Sequence, residues 1–125
     1  MRVLNVEDNV MKHCQVKLAL EYCGAKEVDC CNNLQDALYL LEERTGMGRR
    51  YDLIVTDMNY PLEKGGETCG QAGEILIQRI KEDGIEIPII ICSSRRFSSE
   101  GILGSVWYSE LRDIEEDFRK VLWKI

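Results

Sequence analysis

The sequence predicts an α/β protein built on a doubly wound, five-stranded parallel sheet with the strand order 2-1-3-4-5. Short apolar segments of strand length alternate with amphipathic segments of helix length along the whole chain. The strand segments are apolar at consecutive positions, which is typical of a parallel sheet covered by helices on both faces. Right-handed crossovers then place the first and third strands side by side.

Five segments carry the apolar runs that predict the strands. The fourth follows Pro88 and contains three consecutive isoleucines, and the third has a continuous apolar run that leads to Asp57. In chain order, the predicted strands are residues 1–6, 27–31, 51–56, 89–92 and 105–108.

Other segments show the helical spacing of apolar residues. Asn33 is a favourable N-cap for the second helix, and Gly24 and Gly84 end the first and third. The predicted helices are residues 10–23, 34–44, 74–83 and about 110–123. The apolar stripe of the first helix consists of Met11, Cys14, Leu18 and Tyr22. The segment 95–104, rich in serine and glycine, is too short for a full helix between the last two strands, so we expect a shortened helix 4 there.

Length and charge limit the possible classes of function. The chain has 125 residues and a net charge of -6, which fits one domain over residues 1–125 and leaves no room for a second. Nucleic acid and anionic membranes repel an acidic chain, so neither is expected as a partner. The sequence shows no secretory signal and no apolar run long enough to span a bilayer, so we expect a cytoplasmic protein. It leaves a monomer and a weak dimer both open.

The six cysteines predict neither a zinc site nor disulfides. They stand at positions 14, 23, 30, 31, 69 and 92, and no pair has the spacing of a zinc-binding motif. In a reducing compartment the thiols are expected to be free. Cys14, either Cys30 or Cys31, and Cys92 lie in apolar patterns and are predicted to be small core residues.

Acidic and hydroxyl residues stand at the ends of three predicted strands. Glu7 and Asp8 end the first strand, and Asp57 ends the third. Ser93 and Ser94 follow the fourth. Because the carboxyl ends of neighbouring parallel strands meet at one edge of the sheet, these side chains should converge in one crevice. Three carboxylates together are unfavourable without a cation, and hard carboxylate oxygens suit Mg²⁺. A carboxylate beside a metal is also a possible nucleophile toward a phosphoryl group.

Three stretches of sequence resemble the signatures of response-regulator receiver domains (CheY-like) of two-component signal transduction. They are Val6-Glu7-Asp8-Asn9, Asp57-Met58-Asn59-Tyr60-Pro61 and Ile91-Cys92-Ser93-Ser94. The resemblance covers the whole chain in order and spacing. It implies a flavodoxin-like fold in a stand-alone, non-enzymatic phosphoprotein.

The resemblance also implies a role for each residue of the crevice. Asp57 would accept a phosphoryl group from a histidine kinase or a histidine phosphotransfer protein. Glu7, Asp8 and Asp57 would bind Mg²⁺, together with the backbone carbonyl of Asn59. Ser93, with Ser94 beside it, would match the hydroxyl that contacts a phosphoryl oxygen and reports phosphorylation.

One departure from the family concerns the cation of the site. The family has a lysine followed by proline at the end of strand five, whereas this chain has Tyr108 and Ser109. A tyrosine supplies no positive charge to a phosphoryl oxygen. Arg95 or Arg96, directly after Ser94, would be a cationic substitute, since guanidinium pairs with phosphate. The alternative is that both arginines are solvated surface charges.

Other interpretations of the sequence remain to be weighed. The missing lysine favours a phosphorylation-independent pseudo-receiver that acts as a protein-interaction module, whereas the retained acids favour phosphorylation. A hydrolase with an aspartyl-phosphate intermediate would need a second acid near the nucleophile, and Asn59 has no such chemistry. The glycine-rich segment 65–70 lacks the lysine of a phosphate-binding loop. Trp107 and Tyr108 fit either core packing or a partner surface.

Overall fold

The centre of the molecule is a five-stranded parallel sheet. A computed structural model describes residues 1–97 and 99–125. In chain order, the elements are β1 (Arg2–Val6), α1 (Val10–Tyr22), β2 (Glu27–Cys31), α2 (Leu34–Gly46), β3 (Leu53–Thr56), β4 (Tyr60–Pro61), β5 (Thr68–Cys69), α3 (Ala72–Glu82), β6 (Ile89–Ser93), β7 (Gly104–Trp107) and α4 (Glu115–Leu122). The strand order of this sheet is β2-β1-β3-β6-β7, and every pairing within it is parallel. This confirms the predicted order 2-1-3-4-5, with β6 and β7 as the fourth and fifth strands. Strands β4 and β5 form a separate antiparallel pair.

Apolar side chains cover both faces of the sheet, as the continuous apolar strands predict. One cluster packs α2 and α3 against one face, with Leu41 and Leu76 among its members. The other packs α1 and α4 against the opposite face, with Leu20 and Phe118 among its members. The strands therefore lie between two layers of helices, and polar residues are free to collect at the strand ends.

The predicted apolar face of α1 is wrong. Met11, Leu18 and Tyr22 are each at least 60% exposed, and Cys14 is exposed as well. The residues that α1 buries are Lys12, Val16, Ala19 and Leu20. The helix is thus turned so that Val16, Ala19 and Leu20 meet the sheet. Lys12 lies on the same face and reaches acceptors at the strand ends. Cys14 is therefore not a core residue, whereas Cys31 and Cys92 are buried as expected.

The connection between β6 and β7 has no helix in the part that the structure describes, residues 94–97 and 99–103. This agrees with the predicted shortening of helix 4. The last helix begins at Glu115 rather than near residue 110, and Leu111 is almost fully exposed. Within the described ranges, no helix is both long and apolar enough to cross a membrane.

Candidate functional site

Three carboxylates meet at the carboxyl ends of β1 and β3. The two strands pair through Val6 and Thr56, so Glu7 and Asp57 leave the sheet side by side. One carboxylate oxygen from each of Glu7, Asp8 and Asp57 lies within 4.8 Å of the others. Glu7 is buried and Asp57 is half-buried, while Asp8 is exposed. The structure therefore brings together the three acids that the sequence places at strand ends.

The turn between β1 and α1 fixes the orientation of the first helical turn. Asn9 caps α1, because its side-chain oxygen accepts a hydrogen bond from the backbone N–H of Lys12 at 3.0 Å. The backbone N–H of Asn9 in turn donates to Glu7 Oε2 at 3.0 Å. Side chains on a helix lean toward its N-terminus, so Lys12 extends back over the strand ends.

Lys12 is a buried cation at the centre of the acidic cluster. Its ammonium group lies 2.6 Å from Glu7 Oε1 and 3.2 Å from Asp57 Oδ2. It also donates to the backbone carbonyl of Cys92 at 2.8 Å. An ammonium has three N–H donors, and each of these has an acceptor. Lys12 therefore ties together the ends of β1, β3 and β6, and the sequence analysis did not identify it.

The ion pairs of Lys12 with Glu7 and Asp57 affect the protonation of Lys12 and Glu7. Burial opposes the ammonium, but the carboxylates of Glu7 and Asp57 outweigh it and raise the pKa of Lys12. Burial also raises the pKa of the Glu7 carboxyl, against the effect of Lys12. Because an amine is far more basic than a carboxyl, we assign the proton to Lys12 at neutral pH. At neutral pH the site thus carries a positive charge beside Asp57.

Tyr108, which stands where the sequence resemblance would place a lysine, packs against Lys12. Its backbone N–H donates to the carbonyl of Ser93 at 2.8 Å, which continues the pairing of β6 and β7. The ammonium of Lys12 lies 5.3 Å from the centre of the Tyr108 ring, within cation–π range. The Tyr108 hydroxyl donates to the side-chain oxygen of Gln15 on α1. Tyr108 is therefore a packing partner of α1 at this end of the sheet.

The two serines and two arginines after β6 have separate environments. Ser93 is buried, and its hydroxyl oxygen accepts a hydrogen bond from the backbone N–H of Arg95 at 3.2 Å. Ser94 is exposed, and its carbonyl accepts a hydrogen bond from the Trp107 indole at 2.9 Å. The guanidinium of Arg96 stacks on Trp107, 5.3 Å from the ring centre. Among the described residues, the cation that forms an ion pair with Asp57 is Lys12, not Arg95 or Arg96.

The backbone around Asp57 is held by several contacts. Asp57 Oδ1 accepts a hydrogen bond from the N–H of Met58 at 2.7 Å, and the Asp57 carbonyl accepts one from the Thr56 hydroxyl at 2.7 Å. Gly73, at the start of α3, donates its N–H to the Met58 carbonyl at 3.1 Å. Asn59 lies between β3 and β4, half-buried and close to Gly70. The loop after β3 is thus closely packed where Asp57 leaves the sheet.

The donor set fits Mg²⁺. All three candidate side-chain ligands are carboxylates, the oxygen donors that this ion prefers. Three carboxylates and the Lys12 ammonium leave a formal charge of -2, which one divalent cation balances. The oxygens of Glu7 are engaged by Lys12 and by the Asn9 N–H, and Asp8 is the exposed member. Both oxygens of Asp57 also have partners, the Met58 N–H and Lys12, so Asp8 is the carboxylate best placed to contact the ion directly, with Asp57 beside it.

We expect Asp8→Ala to weaken Mg²⁺ binding by about tenfold, because it removes one ligand charge from a small, hard cation. The affinity is measured by following amide shifts of Glu7, Asp57 and Asn59 during a Mg²⁺ titration. Asp83→Ala is the matched control, since Asp83 is exposed at the far end of α3 and should leave the affinity unchanged. Equal affinities in both variants and the parent would show that Asp8 is not a ligand.

Comparisons with known proteins agree with this architecture. No family model matches the sequence, and no curated protein matches it. Solved structures do match. The receiver domain of the histidine kinase CKI1 from Arabidopsis thaliana, complexed with Mg²⁺ and BeF₃⁻, is 24% identical with a TM-score of 0.64. The comparison covers 98% of this chain and 89% of that one.

Two further neighbours are bacterial. The chemotaxis response regulator CheY4 of Vibrio cholerae is 20% identical, with a TM-score of 0.68, and 98% of this chain and 96% of that chain are covered. A two-component response regulator from Cytophaga hutchinsonii is 19% identical, with a TM-score of 0.72, 97% of this chain and 96% of that chain being covered. The chain therefore has the fold of the response-regulator receiver domains.

Proposed function

We propose that this protein is a receiver in two-component signalling and that Asp57 accepts a phosphoryl group. The observation that carries the proposal is the meeting of the Glu7, Asp8 and Asp57 carboxylates within 4.8 Å at the ends of two neighbouring strands. Three carboxylates so close together repel one another, and the repulsion costs free energy. A site of this kind therefore points to a bound cation and to chemistry at the carboxylates.

The proposed phosphoryl transfer uses Asp57 as the nucleophile. A carboxylate oxygen of Asp57 attacks the phosphorus atom and forms a new P–O bond. The bond between phosphorus and the donor breaks, and the leaving group, a histidine nitrogen or an acetate oxygen, keeps the electron pair. Mg²⁺, when bound to Asp8 and Asp57, would neutralise charge on the transferred group. Ser93, next along the same edge of the sheet, would donate its hydroxyl to a phosphoryl oxygen.

The cellular setting is part of the same proposal. The donor would be a histidine kinase or a histidine phosphotransfer protein, and the protein would work in the cytoplasm without catalysing a reaction on another substrate. The similarity to the receiver of a histidine kinase that was solved with Mg²⁺ and BeF₃⁻ supports this choice of donor and metal.

A phosphorylation-independent interaction module is the second candidate. The observation that favours it is the ion pair of Lys12 with Glu7 and Asp57, since a built-in cation can stabilise an acidic cluster without a metal or a phosphoryl group. The exposed position of Asp8 favours the first candidate, because Lys12 does not account for that carboxylate.

Beryllofluoride, which mimics an aspartyl phosphate, distinguishes the two candidates. We expect a Trp123→Phe variant to report binding through Trp107, whose indole bonds to Ser94 beside the site. Its fluorescence should change when beryllofluoride is added in the presence of Mg²⁺, and not when Mg²⁺ is omitted. If neither the fluorescence nor the amide shifts of Asp57 and Ser93 respond to the two ligands together, the interaction module is the better description.

A further inference from the structure

The ammonium of Lys12 is buried where three strand ends meet, which is an unusual environment for a lysine that only stabilises the fold. Its side chain is 6% exposed, and it contacts one group from each of three strand ends, including the proposed phosphoacceptor Asp57. A lysine is seldom buried unless it is paired. Stabilisation of Glu7 would need only one contact, whereas Lys12 also reaches the carboxylate that would be phosphorylated.

We propose that Lys12 of helix α1 binds the phosphoryl group on Asp57 and so performs the function that the receiver family assigns to a lysine at the end of strand five. The proposal rests on the proposed phosphorylation of Asp57. It replaces the hypothesis that Arg95 or Arg96 supplies the cation, because Lys12 already forms the ion pair and Arg96 stacks on Trp107.

The contacts of Lys12 show how it would respond to phosphorylation. Its distance to Asp57 Oδ2, 3.2 Å, is the longest of its three polar contacts. Phosphorylation turns the single negative charge of Asp57 into a group with nearly two charges and several acceptor oxygens. The N–H that donates to Asp57 then donates its hydrogen bond to a phosphoryl oxygen instead. The contacts to Glu7 and to the Cys92 carbonyl hold the ammonium in place.

Tyr108 explains why the lysine comes from the helix. A lysine at position 108 would bring a second ammonium close to Lys12, and two like charges in one partly buried site repel each other. The tyrosine ring instead lies 5.3 Å from Lys12 and supports its charge, and its hydroxyl bonds to Gln15 on the same helix. The absence of a strand-five lysine and the presence of Lys12 are therefore two parts of one arrangement.

The test measures the beryllofluoride affinity of Lys12→Met by the Trp107 fluorescence assay and its Mg²⁺ affinity by the amide-shift titration. We expect beryllofluoride binding in Mg²⁺ to weaken about tenfold or more, the scale of one charge-assisted hydrogen bond. Mg²⁺ alone should bind more tightly, on the order of threefold to tenfold, because a competing positive charge is gone. A lysine with a merely structural role would not move the two affinities in opposite directions. Lys17→Met, on the exposed side of α1, is the control.

Two further variants keep the test decisive. Adding Tyr108→Lys to Lys12→Met should restore beryllofluoride binding, because it returns the cation from strand β7. If Lys12→Met does not fold, Glu7→Gln is compared with Glu7→Gln/Lys12→Met, which removes both charges of the buried pair. Beryllofluoride binding that is equal with and without Lys12 overturns the proposal and leaves phosphorylation of Asp57 standing. Failure of the parent protein to bind beryllofluoride refutes the proposed function itself.

Discussion

Replacing Asp57 by asparagine is expected to abolish covalent labelling of the protein by acetyl phosphate in Mg²⁺. The amide nitrogen is not a nucleophile, whereas the amide oxygen can still accept the hydrogen bond that the Met58 N–H gives to Asp57. The substitution therefore removes the chemistry and keeps the shape. Intact-mass spectrometry of the parent should show the addition of one phosphoryl group, and the variant should show none.

The site of labelling is checked by trapping the acyl phosphate with borohydride, followed by peptide mapping. Asp52→Asn is the control, because Asp52 is exposed at the opposite end of β3, where it accepts a hydrogen bond from the N–H of Arg2. It should be labelled as the parent is. Labelling that persists unchanged in Asp57→Asn would exclude Asp57 as the phosphoacceptor.

Gly73→Ala is expected to lower the free energy of unfolding by about 3 kcal/mol, the upper range for overpacking a tight site. A Cβ at this position would lie 2.4 Å from the Asp57 carbonyl oxygen and 2.7 Å from the Met58 Cα. Both are backbone atoms, so neither can rotate away as a flexible side chain would. The loop after β3 must shift, and Asp57 shifts with it, so beryllofluoride binding should be lost as well.

Urea denaturation measures the change in stability. Gly46→Ala is the matched control, because Gly46 lies in α2 with no atom within 4 Å of its would-be Cβ. Alanine there should leave the protein unchanged or stabilise it by up to about 1 kcal/mol, as expected for a helical glycine. Equal denaturation midpoints for Gly73→Ala and the parent would contradict the close contact between α3 and Asp57.

The order of strands and the acidic crevice could be predicted from local sequence. Continuous apolar runs form strands in the middle of a covered sheet, and the handedness of crossovers then orders them. Glu7 and Asp57 directly follow two such runs, so their meeting at one edge needed no knowledge of side-chain contacts. The shortened connection between β6 and β7 followed in the same way, from a segment of few residues that contains serine and glycine.

The orientation of α1 could not be predicted in this way. Its apolar residues suggested a stripe through Met11, Leu18 and Tyr22, yet that stripe is exposed and the helix buries Lys12. A prediction from the spacing of apolar residues places every lysine on the surface, because burying an unpaired charge costs much free energy. The cost disappears only when acceptors are in place, and those of Lys12 lie on β1, β3 and β6.

The fold, the strand ends and the three acids could thus be predicted, because the apolar runs and the acids that follow them are each formed by residues close together in the chain. The tertiary structure alone decided which cation joins them. Lys12 is 45 positions from Asp57 and 80 from Cys92, the partner of its third N–H. Whether a lysine turns toward such partners depends on how its helix packs against the sheet, and on Tyr108, whose ring lies beside the ammonium and whose hydroxyl bonds to Gln15 on the same helix.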